Sequence, residues 1–360
     1  MKIIQLVGSR TWGGGERYVL DLSHTLTARG HQVSIFTRGP EAIDNRFSGM
    51  PLRHLAFGGP LDLASPIKLG LYLKKQKENV VLHAHNFKTA AVAAKARRIA
   101  RLDRSRCRIV VTRHLARQGH TSLRWKRLYS SIDHLIFVSE FARQTFLKTD
   151  PPIERCKIHV VHNSIIVSVS STAAIRKQNN AVSLLFIGRI SPEKGIDTLI
   201  KALALIDSPN IKLRIAGTGP SRYTGELKQL ACSLNVDSRI EWAGHIDNVF
   251  PEINNTDIGI APSRAPEAFG LTLLEFMSQG IPVIAADNGA QPEIITTGKN
   301  GLLIPPDDEN ALASAITGLA GNPGLRADLG KAGTETFNSR FAYNHFMTHI
   351  LDIYGTYPQN

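Results

Sequence analysis

The sequence is poor in cysteine and has no long apolar run. Three cysteines, an odd number and far apart, fit neither a disulfide framework nor a zinc knuckle; they are Cys107, Cys156 and Cys232. The opening MKIIQLVGSR carries only a short apolar run, shorter than the apolar region of a signal peptide, and no stretch of ~18 apolar residues follows. We therefore expect a soluble protein of a reducing compartment.

Acidic residues are scarce in the first half of the chain. Residues 1–178 hold 30 Lys and Arg against 11 Asp and Glu, a balance of +19, whereas residues 179–360 hold 13 against 19, a balance of −6. Residues 88–127 alone carry thirteen positive side chains and one acid, Asp103. Such an excess indicates a polyanionic partner, namely nucleic acid, an anionic membrane or a phosphorylated substrate. A solvated basic face that maintains solubility is the alternative.

The basic segment also has few aromatic residues. Residues 88–127 contain Trp125 but no Tyr or Phe, and no recognisable nucleic-acid module, so a non-enzymatic nucleic-acid-binding protein is a remote alternative. Residues 88–108 read as a helix with an Ala, Val and Ile face and a Lys and Arg face, a pattern typical of helices on anionic lipid. Packing of the alanine face on a sheet, with solvated arginines, is compatible with the same pattern.

The order of apolar runs indicates an α/β protein with two domains. Short segments such as KIIQLV and HLIFVS alternate with amphipathic helical patterns in both halves, which is typical of parallel sheets covered by helices on both faces. A polar stretch near residue 170 interrupts this rhythm. We predict a Rossmann-like domain over 1–165, a linker over 166–182, a second Rossmann-like domain over 183–340 and a C-terminal helix over 341–360.

Glycine and polar residues follow the predicted strands, where parallel sheets bind ligands. Gly13–Gly15 would let backbone amides approach a phosphate or a sugar, although a tight turn explains the same glycines. The cluster lacks the GxGxxG spacing and the second strand ends in Arg38 rather than an acid, which disfavours a dinucleotide site. Arg113 and His114 end a later strand, either as acceptor contacts or as ordinary polar residues of a strand end.

The second half contains two further candidate groups. Arg189 and Lys194 flank a turn after the strand FIGRI and could clamp a diphosphate, although each alone could be a surface cation. Glu267 and Glu275 are separated by Gly270. We therefore expect a helix that begins late, with Glu267 in the preceding loop and free backbone N–H groups facing phosphate oxygens.

Together these residues resemble family 4 glycosyltransferases, which adopt the GT-B fold. Glu267 and Glu275, with AFGLTLL between them, are similar to the family's EX7E motif, and FIGRISPEKGIDTLIKAL is similar to its diphosphate-binding stretch. The loop GGGER, the strand end VLHAHN with His85, and the segments VSEFAR, AGTGP, AGHI and GLLIPPDDENALASAI extend the resemblance over nearly the whole chain. The segment VVHNSI departs from the family's VIPNGV, since His162 and Ser164 replace proline and glycine.

The resemblance implies a retaining transfer of a sugar from a nucleotide-diphosphate donor to an acceptor hydroxyl. By that resemblance Glu267 contacts the donor sugar near its reacting face, His85 contacts the sugar and helps to place the acceptor, and Glu275 binds the ribose. Diphosphate, base and loop-closing contacts are implied for Gly14, Arg189, Lys194, Ile246, Phe269, Gly270, Leu271 and Thr272.

The reaction so implied needs charge stabilisation at the leaving group. Negative charge builds on the diphosphate as the glycosidic bond breaks, and two cations with a helix N-terminus can stabilise it. No strand-terminal DxD motif is present, and the pair His83 and His85 has no evident third ligand, so we expect neither a metal nor another cofactor. Without a second carboxylate on the strand ends of the first domain, a single-step front-face route is expected rather than a covalent intermediate.

The acceptor is expected on the basic first domain. A glycolipid or polysaccharide of the cell envelope, such as lipopolysaccharide core, would suit residues 88–127 on an enzyme that is cytoplasmic and peripheral on the inner face of the cell membrane. A soluble enzyme that makes a small glycoside or a glucan is the alternative. UDP-, GDP- and ADP-sugars share the diphosphate and ribose, and a UDP-sugar is expected as the commonest of them.

Overall fold

The computed structural model describes residues 1–39, 41–59, 62–167 and 181–355, with the backbone alone at 41 and 42. The chain forms two compact units: Met1–Asn163 together with Asn344–Asn360, and Ser164–Tyr343. Most of the predicted linker over 166–182 lies outside the described residues.

The first unit is built on a seven-stranded parallel sheet with the strand order β3-β2-β1-β4-β5-β6-β7. The order reverses at β1, whose neighbours are β2 and β4, and such a reversal opens a crevice at the carboxyl ends of the strands. The strands are β1 Lys2–Val7, β2 Gln32–Thr37, β3 Leu52–His54, β4 Val80–Ala84, β5 Cys107–Arg113, β6 His134–Phe137 and β7 Ile158–Val160.

Helices cover both faces of this sheet. They are α1 Gly14–Ala28, α2 Glu41–Asp44, α3 Ala64–Lys74, α4 Phe87–Ala100, α5 Leu123–Ser131 and α6 Glu140–Leu147. Residues of α3, α4, α5 and α6 share one buried cluster with alternate residues of the strands, among them Leu82 and Ala84 of β4. Because successive strand residues point to opposite faces, His83 between them faces the other side of the sheet.

Helix α4 is shorter than the sequence predicted. The predicted helix over 88–108 ends at Ala100, because Arg101 adopts a left-handed conformation with φ 57°. Asp103 then forms a turn in which its carboxylate accepts hydrogen bonds from the Ser105 hydroxyl and the Arg106 N–H, and Cys107 enters β5. The predicted C-terminal end of the helix was wrong because apolar periodicity does not reveal a single residue in the left-handed conformation.

The second unit has a six-stranded parallel sheet with the order β10-β9-β8-β11-β12-β13. Its strands are β8 Val182–Ile187, β9 Ile211–Ala216, β10 Ile240–Gly244, β11 Ile258–Ala261, β12 Val283–Ala286 and β13 Leu302–Ile304. Its helices are α7 Ile196–Leu205, α8 Ser221–Ser233, α9 Phe250–Asn254, α10 Leu271–Ser278, α11 Gln291–Ile294, α12 Glu309–Ala320 and α13 Pro323–Thr336.

The end of the chain returns to the first unit. A π-helical turn, Phe337–Phe341, follows α13, and the last helix, α14, spans Tyr343–Tyr354. Its inner residues are buried, including Phe346, Ile350 and Tyr354. Across the described ranges, no helix combines the length and the apolar character needed to cross a membrane.

Candidate functional site

In the first unit, the candidate residues lie at the carboxyl ends of β1, β4 and β5. Gly13 caps α1, which begins at Gly14. The ring of His114 lies against the first turn of this helix, where a Cβ added to Gly15 would be 3.6 Å from it. The structure therefore brings the glycine loop and His114 together at one edge of the sheet.

Three histidines form a hydrogen-bonded cluster at this edge. His83, fully buried, bonds the Tyr354 hydroxyl through Nδ1 at 2.7 Å and the Thr112 hydroxyl through Nε2 at 2.8 Å. His85 bonds the Gln5 side-chain oxygen through Nε2 at 2.8 Å and His114 Nε2 through Nδ1 at 3.2 Å. Because an amide oxygen only accepts, His85 Nε2 carries the proton and its Nδ1 accepts from His114.

Burial makes these histidines poor bases. Desolvation lowers the pKa of His83 to about 3 and that of His114 to about 4, and it holds the pKa of His85 well below 6.5. Neighbouring histidines contribute less at His83 and His85, and the charge of Arg113 contributes less at His114. All three rings are neutral at pH 7. Both ring nitrogens of His85 are engaged within the cluster, so this side chain would have to exchange a partner to bond a ligand.

The ring nitrogens of His83 and His85 are all engaged in hydrogen bonds within the protein. The rings of His83 and His85 lie on the same side, with centroids 4.4 Å apart, as their spacing predicts. Hydroxyl groups of Tyr354 and Thr112 already bond both nitrogens of His83. In the part of the chain that the structure describes, no three His, Cys, Asp or Glu side chains form a group that could hold a metal ion.

The structure separates the two predicted acceptor residues. Arg113 ends β5 and turns toward the start of α4, where its guanidinium carbon lies 4.4 Å from the centroid of the Phe87 ring. Burial lowers the pKa of Arg113 to about 10. Since successive residues of a strand face opposite ways, only His114 of this pair joins the histidine cluster.

In the second unit, Lys194 and Glu267 line one pocket. The Lys194 ammonium lies 2.8 Å from Glu267 Oε1, and each side chain is 24% exposed. The Ser263 hydroxyl donates to the same carboxylate oxygen. Gly270, Thr272 and Gln291 line the pocket with these three residues. The pocket thus holds a cation, a carboxylate and the N-terminus of α10.

Helix α10 begins where the sequence predicted. Gly270, with φ 120°, precedes its first residue, Leu271, so Glu267 lies in the loop before the helix and Glu275 within it. The first N–H groups of a helix have no partner inside that helix. Those of α10 lie at the pocket, whereas Glu275, half-buried farther along, is outside the set of lining residues.

The loop that carries Glu267 is held by its backbone. The N–H of Ala290 donates to the Glu267 carbonyl at 3.0 Å. Gly289 has φ 59°, and a Cβ there would lie 2.5 Å from the backbone nitrogen and oxygen of Glu267. A side chain at 289 would therefore displace the loop, so glycine is required for this close approach.

Arg264 also fixes this loop, and the sequence did not reveal its role. Its guanidinium donates to Asp197 at 2.8 Å, to Asp307 at 2.5 Å and to the Pro192 carbonyl at 3.1 Å. Hydrogen bonds to both carboxylates raise its pKa further above the ordinary range. No local pattern could have indicated the contacts, because the partners lie far from Arg264 along the chain.

The other predicted donor-site residues lie nearby or at neighbouring strand ends. Arg189 is exposed on the turn after β8. A hydrogen bond from Ser191 lowers the pKa of Glu193, with smaller contributions from the charges of Arg189 and Lys194, so both cations act on one turn. Ile246 is half-buried just after β10, and Phe269 is buried against Phe341 with ring centroids 6.1 Å apart.

Comparison with known families matches both halves of the chain. The model described as Glycosyltransferase Family 4 matches residues 12–169, and the model described as Glycosyl transferases group 1 matches residues 171–336. Together they span most of the chain, including both candidate regions.

Curated relatives differ in what they act on. The D-inositol 3-phosphate glycosyltransferase of Nocardioides sp. is 26% identical over 96% of this chain and 86% of its own length. The lipopolysaccharide core biosynthesis glycosyltransferase LpsE of Rhizobium meliloti is 23% identical over 96% and 97%. An exopolysaccharide phosphotransferase of Streptomyces coelicolor is 38% identical, but over 43% of this chain and only 16% of its own length.

The fold has counterparts among solved structures. Anabaena HepE, crystallised in complex with UDP, superposes with a TM-score of 0.85 at 23% identity, covering 99% of this chain and 100% of that one. This likeness and the two doubly wound sheets confirm the prediction of the GT-B fold.

Proposed function

Because the chain belongs to the family 4, group 1 glycosyltransferases, we propose that it moves a sugar from a nucleotide-diphosphate donor, a UDP-sugar, to a hydroxyl of a cell-envelope glycolipid or polysaccharide. The observation that carries the donor half of the proposal is the pocket in which Lys194, Glu267 and the N-terminus of α10 converge. The UDP in the crystals of HepE supports the choice of donor.

The pocket suits a leaving diphosphate. Lys194 is paired with Glu267, so a donor phosphate would take the ammonium as its partner and release the carboxylate toward the sugar. The N–H groups at the start of α10 add partial positive charge at the same place. In this proposal Arg189 completes the cation pair, and Glu275 binds the ribose.

The stereochemical course is proposed on the same residues. Among the described residues that line the pocket, Glu267 is the one carboxylate, whereas retaining enzymes that work by double displacement use two, one of which attacks the anomeric carbon from the face opposite the leaving group. We therefore favour retention by a front-face, single-step reaction, with charge stabilised by Lys194, Arg189 and α10 rather than by a metal. Assignments of Gly14, His85 and Ile246 stay predictions of the resemblance.

The acceptor half of the proposal rests on charge and on one relative. Residues 88–127 carry a balance of +12, which suits an anionic glycolipid presented on the cytoplasmic side of the cell membrane, and LpsE acts in lipopolysaccharide core biosynthesis. The alternative, a soluble enzyme that makes a small glycoside, is favoured by the D-inositol 3-phosphate relative. Incubation with radiolabelled UDP-sugar and either extracted envelope glycolipid or D-inositol 3-phosphate distinguishes the two.

The donor proposal is tested without an acceptor. The shift in melting temperature that UDP, GDP and ADP each produce is measured first. Hydrolysis of the corresponding nucleotide sugars is then monitored through the amount of nucleotide released. We expect the largest shift with UDP and slow hydrolysis of a UDP-sugar. The absence of a shift with all three nucleotides would contradict the proposed donor class.

A further inference from the structure

Three consecutive helices of the first unit form a layer without acidic residues. Helices α3, α4 and α5 share the buried cluster on one face of the sheet, and none contains Asp or Glu. Arg97 is the buried exception among their cations, because it pairs with Asp133 at 2.6 Å. Exposed cations remain on all three helices, including Lys68 and Lys74 on α3, Lys95 and Arg98 on α4, and Arg124 on α5. We call this solvent-facing surface of α3, α4 and α5 the basic helical face.

The basic helical face also exposes large apolar side chains. Leu63, Ile67 and Leu71 are 68%, 48% and 51% exposed. Their spacing of four residues places them in one stripe along α3, and the exposed Lys74, three residues after Leu71, lies on the same side. Lys68 is also exposed, on an adjoining side of the helix. Leu123, at the start of α5, is 76% exposed beside Arg124.

The stripe is not a face of the helix that packs within the unit. Leu69 and Leu73 on the opposite side of α3 are fully buried. Gly70 lies so close to α4 that a Cβ there would be 2.7 Å from Ile99 and 3.1 Å from the Ala96 carbonyl oxygen. Helix α3 therefore already has its packing partner, and the stripe on its other side is not needed for packing of the core.

We propose that the basic helical face docks on an anionic lipid bilayer, with Leu63, Ile67 and Leu71 inserted among the lipids and the surrounding Lys and Arg side chains at the headgroups. Aliphatic side chains enter the acyl boundary while long cationic side chains reach the phosphates. Nucleic acid would instead favour exposed aromatic side chains, and a second copy of the same face would bring like charges together.

This proposal changes where membrane contact is expected. The alanine-rich face of α4, which the sequence offered as an interfacial surface, is buried in the core through residues such as Ala90, Ala93 and Ala96. The apolar contribution comes instead from α3, outside residues 88–127. The inference deepens the proposed function. It rests on that function in one respect, because a lipid-linked acceptor is the reason for the enzyme to approach a bilayer.

Flotation with vesicles tests the proposal. The intact protein is mixed at low salt with vesicles of equal parts phosphatidylglycerol and phosphatidylcholine, or with phosphatidylcholine alone. We expect binding to the first only, weakened by added salt because exposed charges are screened. The triple variant Lys68→Glu, Lys95→Glu, Arg98→Glu should bind at least about 100-fold more weakly, since each basic residue near such a surface contributes about fivefold and each glutamate adds repulsion. The matched control Lys201→Glu, Lys212→Glu, Lys331→Glu makes the same charge change on exposed lysines of the second unit and should bind as the wild type does.

The apolar stripe has its own test. The variant Ile67→Gln, Leu71→Gln should lose about tenfold or more in vesicle affinity at unchanged net charge, whereas Leu205→Gln, at a leucine 54% exposed in the second unit, should lose nothing. Equal binding by the stripe variant and its control would overturn the proposal. So would binding of the wild type to a duplex oligonucleotide, an acidic protein or its own copies in place of vesicles.

Donor hydrolysis keeps this proposal separate from the proposed function. The stripe variant should hydrolyse a UDP-sugar at the wild-type rate, because α3 carries none of the donor residues. Normal hydrolysis with no vesicle binding by the wild type would overturn membrane docking alone. Vesicle binding without nucleotide binding would overturn the donor assignment alone.

Discussion

The two units place their candidate residues under opposite electrostatic conditions. In the first unit, burial lowers the pKa values of His83, His85 and His114 until all three rings are neutral. In the second unit, Lys194 and Glu267 form an ion pair at the edge of a pocket that solvent still reaches. Neutral rings can donate hydrogen bonds, but they carry no net positive charge to pair with a diphosphate. In the proposed function, stabilisation of a leaving diphosphate therefore belongs to the second unit.

Loss of the carboxylate in the second unit should have the largest effect. Glu267→Gln keeps the shape of the side chain but removes the charge that faces Lys194, and we expect transfer to fall by about 100- to 1,000-fold, the range for loss of one preorganised electrostatic group. The measurement is steady-state transfer from a UDP-sugar, with folding checked by circular dichroism. Glu226→Gln, at an exposed carboxylate of α8, is the control, and equal turnover of both variants would contradict the assignment.

Loss of the hydroxyl that holds His83 should affect the stability of the first unit. Tyr354→Phe leaves His83 Nδ1 buried without its partner, which we expect to cost about 1–3 kcal/mol of unfolding free energy. Urea unfolding measures the change, and affinity for UDP should stay as in the wild type. Tyr223→Phe is a matched control, because the buried Tyr223 hydroxyl makes no hydrogen bond within the described residues; a comparable loss in this control would count against the role of the histidine cluster.

Acid should destabilise the protein through the same cluster. The folded-state pKa values of His83 and His114, about 3 and about 4, lie below the ordinary value near 6.5, so the unfolded chain binds more protons between these limits. Stability conferred by the neutral rings is complete above about pH 6.5 and is lost as the pH falls toward about 4, by at most about 1.4 kcal/mol per pH unit for each histidine.

This pH effect is tested by comparing the wild type with a variant whose side chain at position 83 does not titrate. His83→Gln should show a shallower fall of the unfolding midpoint between pH 6.5 and 4 than the wild type shows. Parallel curves for the two proteins would exclude His83 as a source of the acid sensitivity.

The smallest effect is expected for loss of the Arg264 contacts in the second unit. Arg264→Gln weakens three contacts of a half-exposed guanidinium, and exposed ion pairs contribute about 1 kcal/mol or less each. We expect a rise in KM for the donor of about fivefold at most, since the loop of Glu267 loses its hold on the turn at 192–197. Arg222→Gln, at a pair with Glu226 whose arginine is 93% exposed, should leave KM unchanged.

Periodicity and strand-end residues were sufficient for much of this architecture. The late start of α10 followed from Gly270, and the common orientation of His83 and His85 followed from their spacing of two. These features depend on neighbours along the chain, which a sequence displays directly.

Contacts between distant segments could not be predicted in the same way. The bonds of Arg264 to Asp197 and Asp307, and of His83 to Tyr354, join residues far apart in the chain. The burial of the alanine face of α4 and the exposure of the apolar stripe on α3 likewise depend on which helices pack together, since a helical pattern does not name its packing partner. Only the folded structure shows that this stripe is left in solvent.

The role of Lys194 in binding the donor is tested by equilibrium binding of UDP to the wild type, Lys194→Met and Lys201→Met. Lys194 lies in the pocket with Glu267, whereas Lys201 is an exposed lysine of α7 in the same unit. We expect calorimetry to detect UDP binding to the wild type and to Lys201→Met, with affinity at least about tenfold weaker in Lys194→Met. Equal affinity of all three proteins for UDP would contradict this role of Lys194.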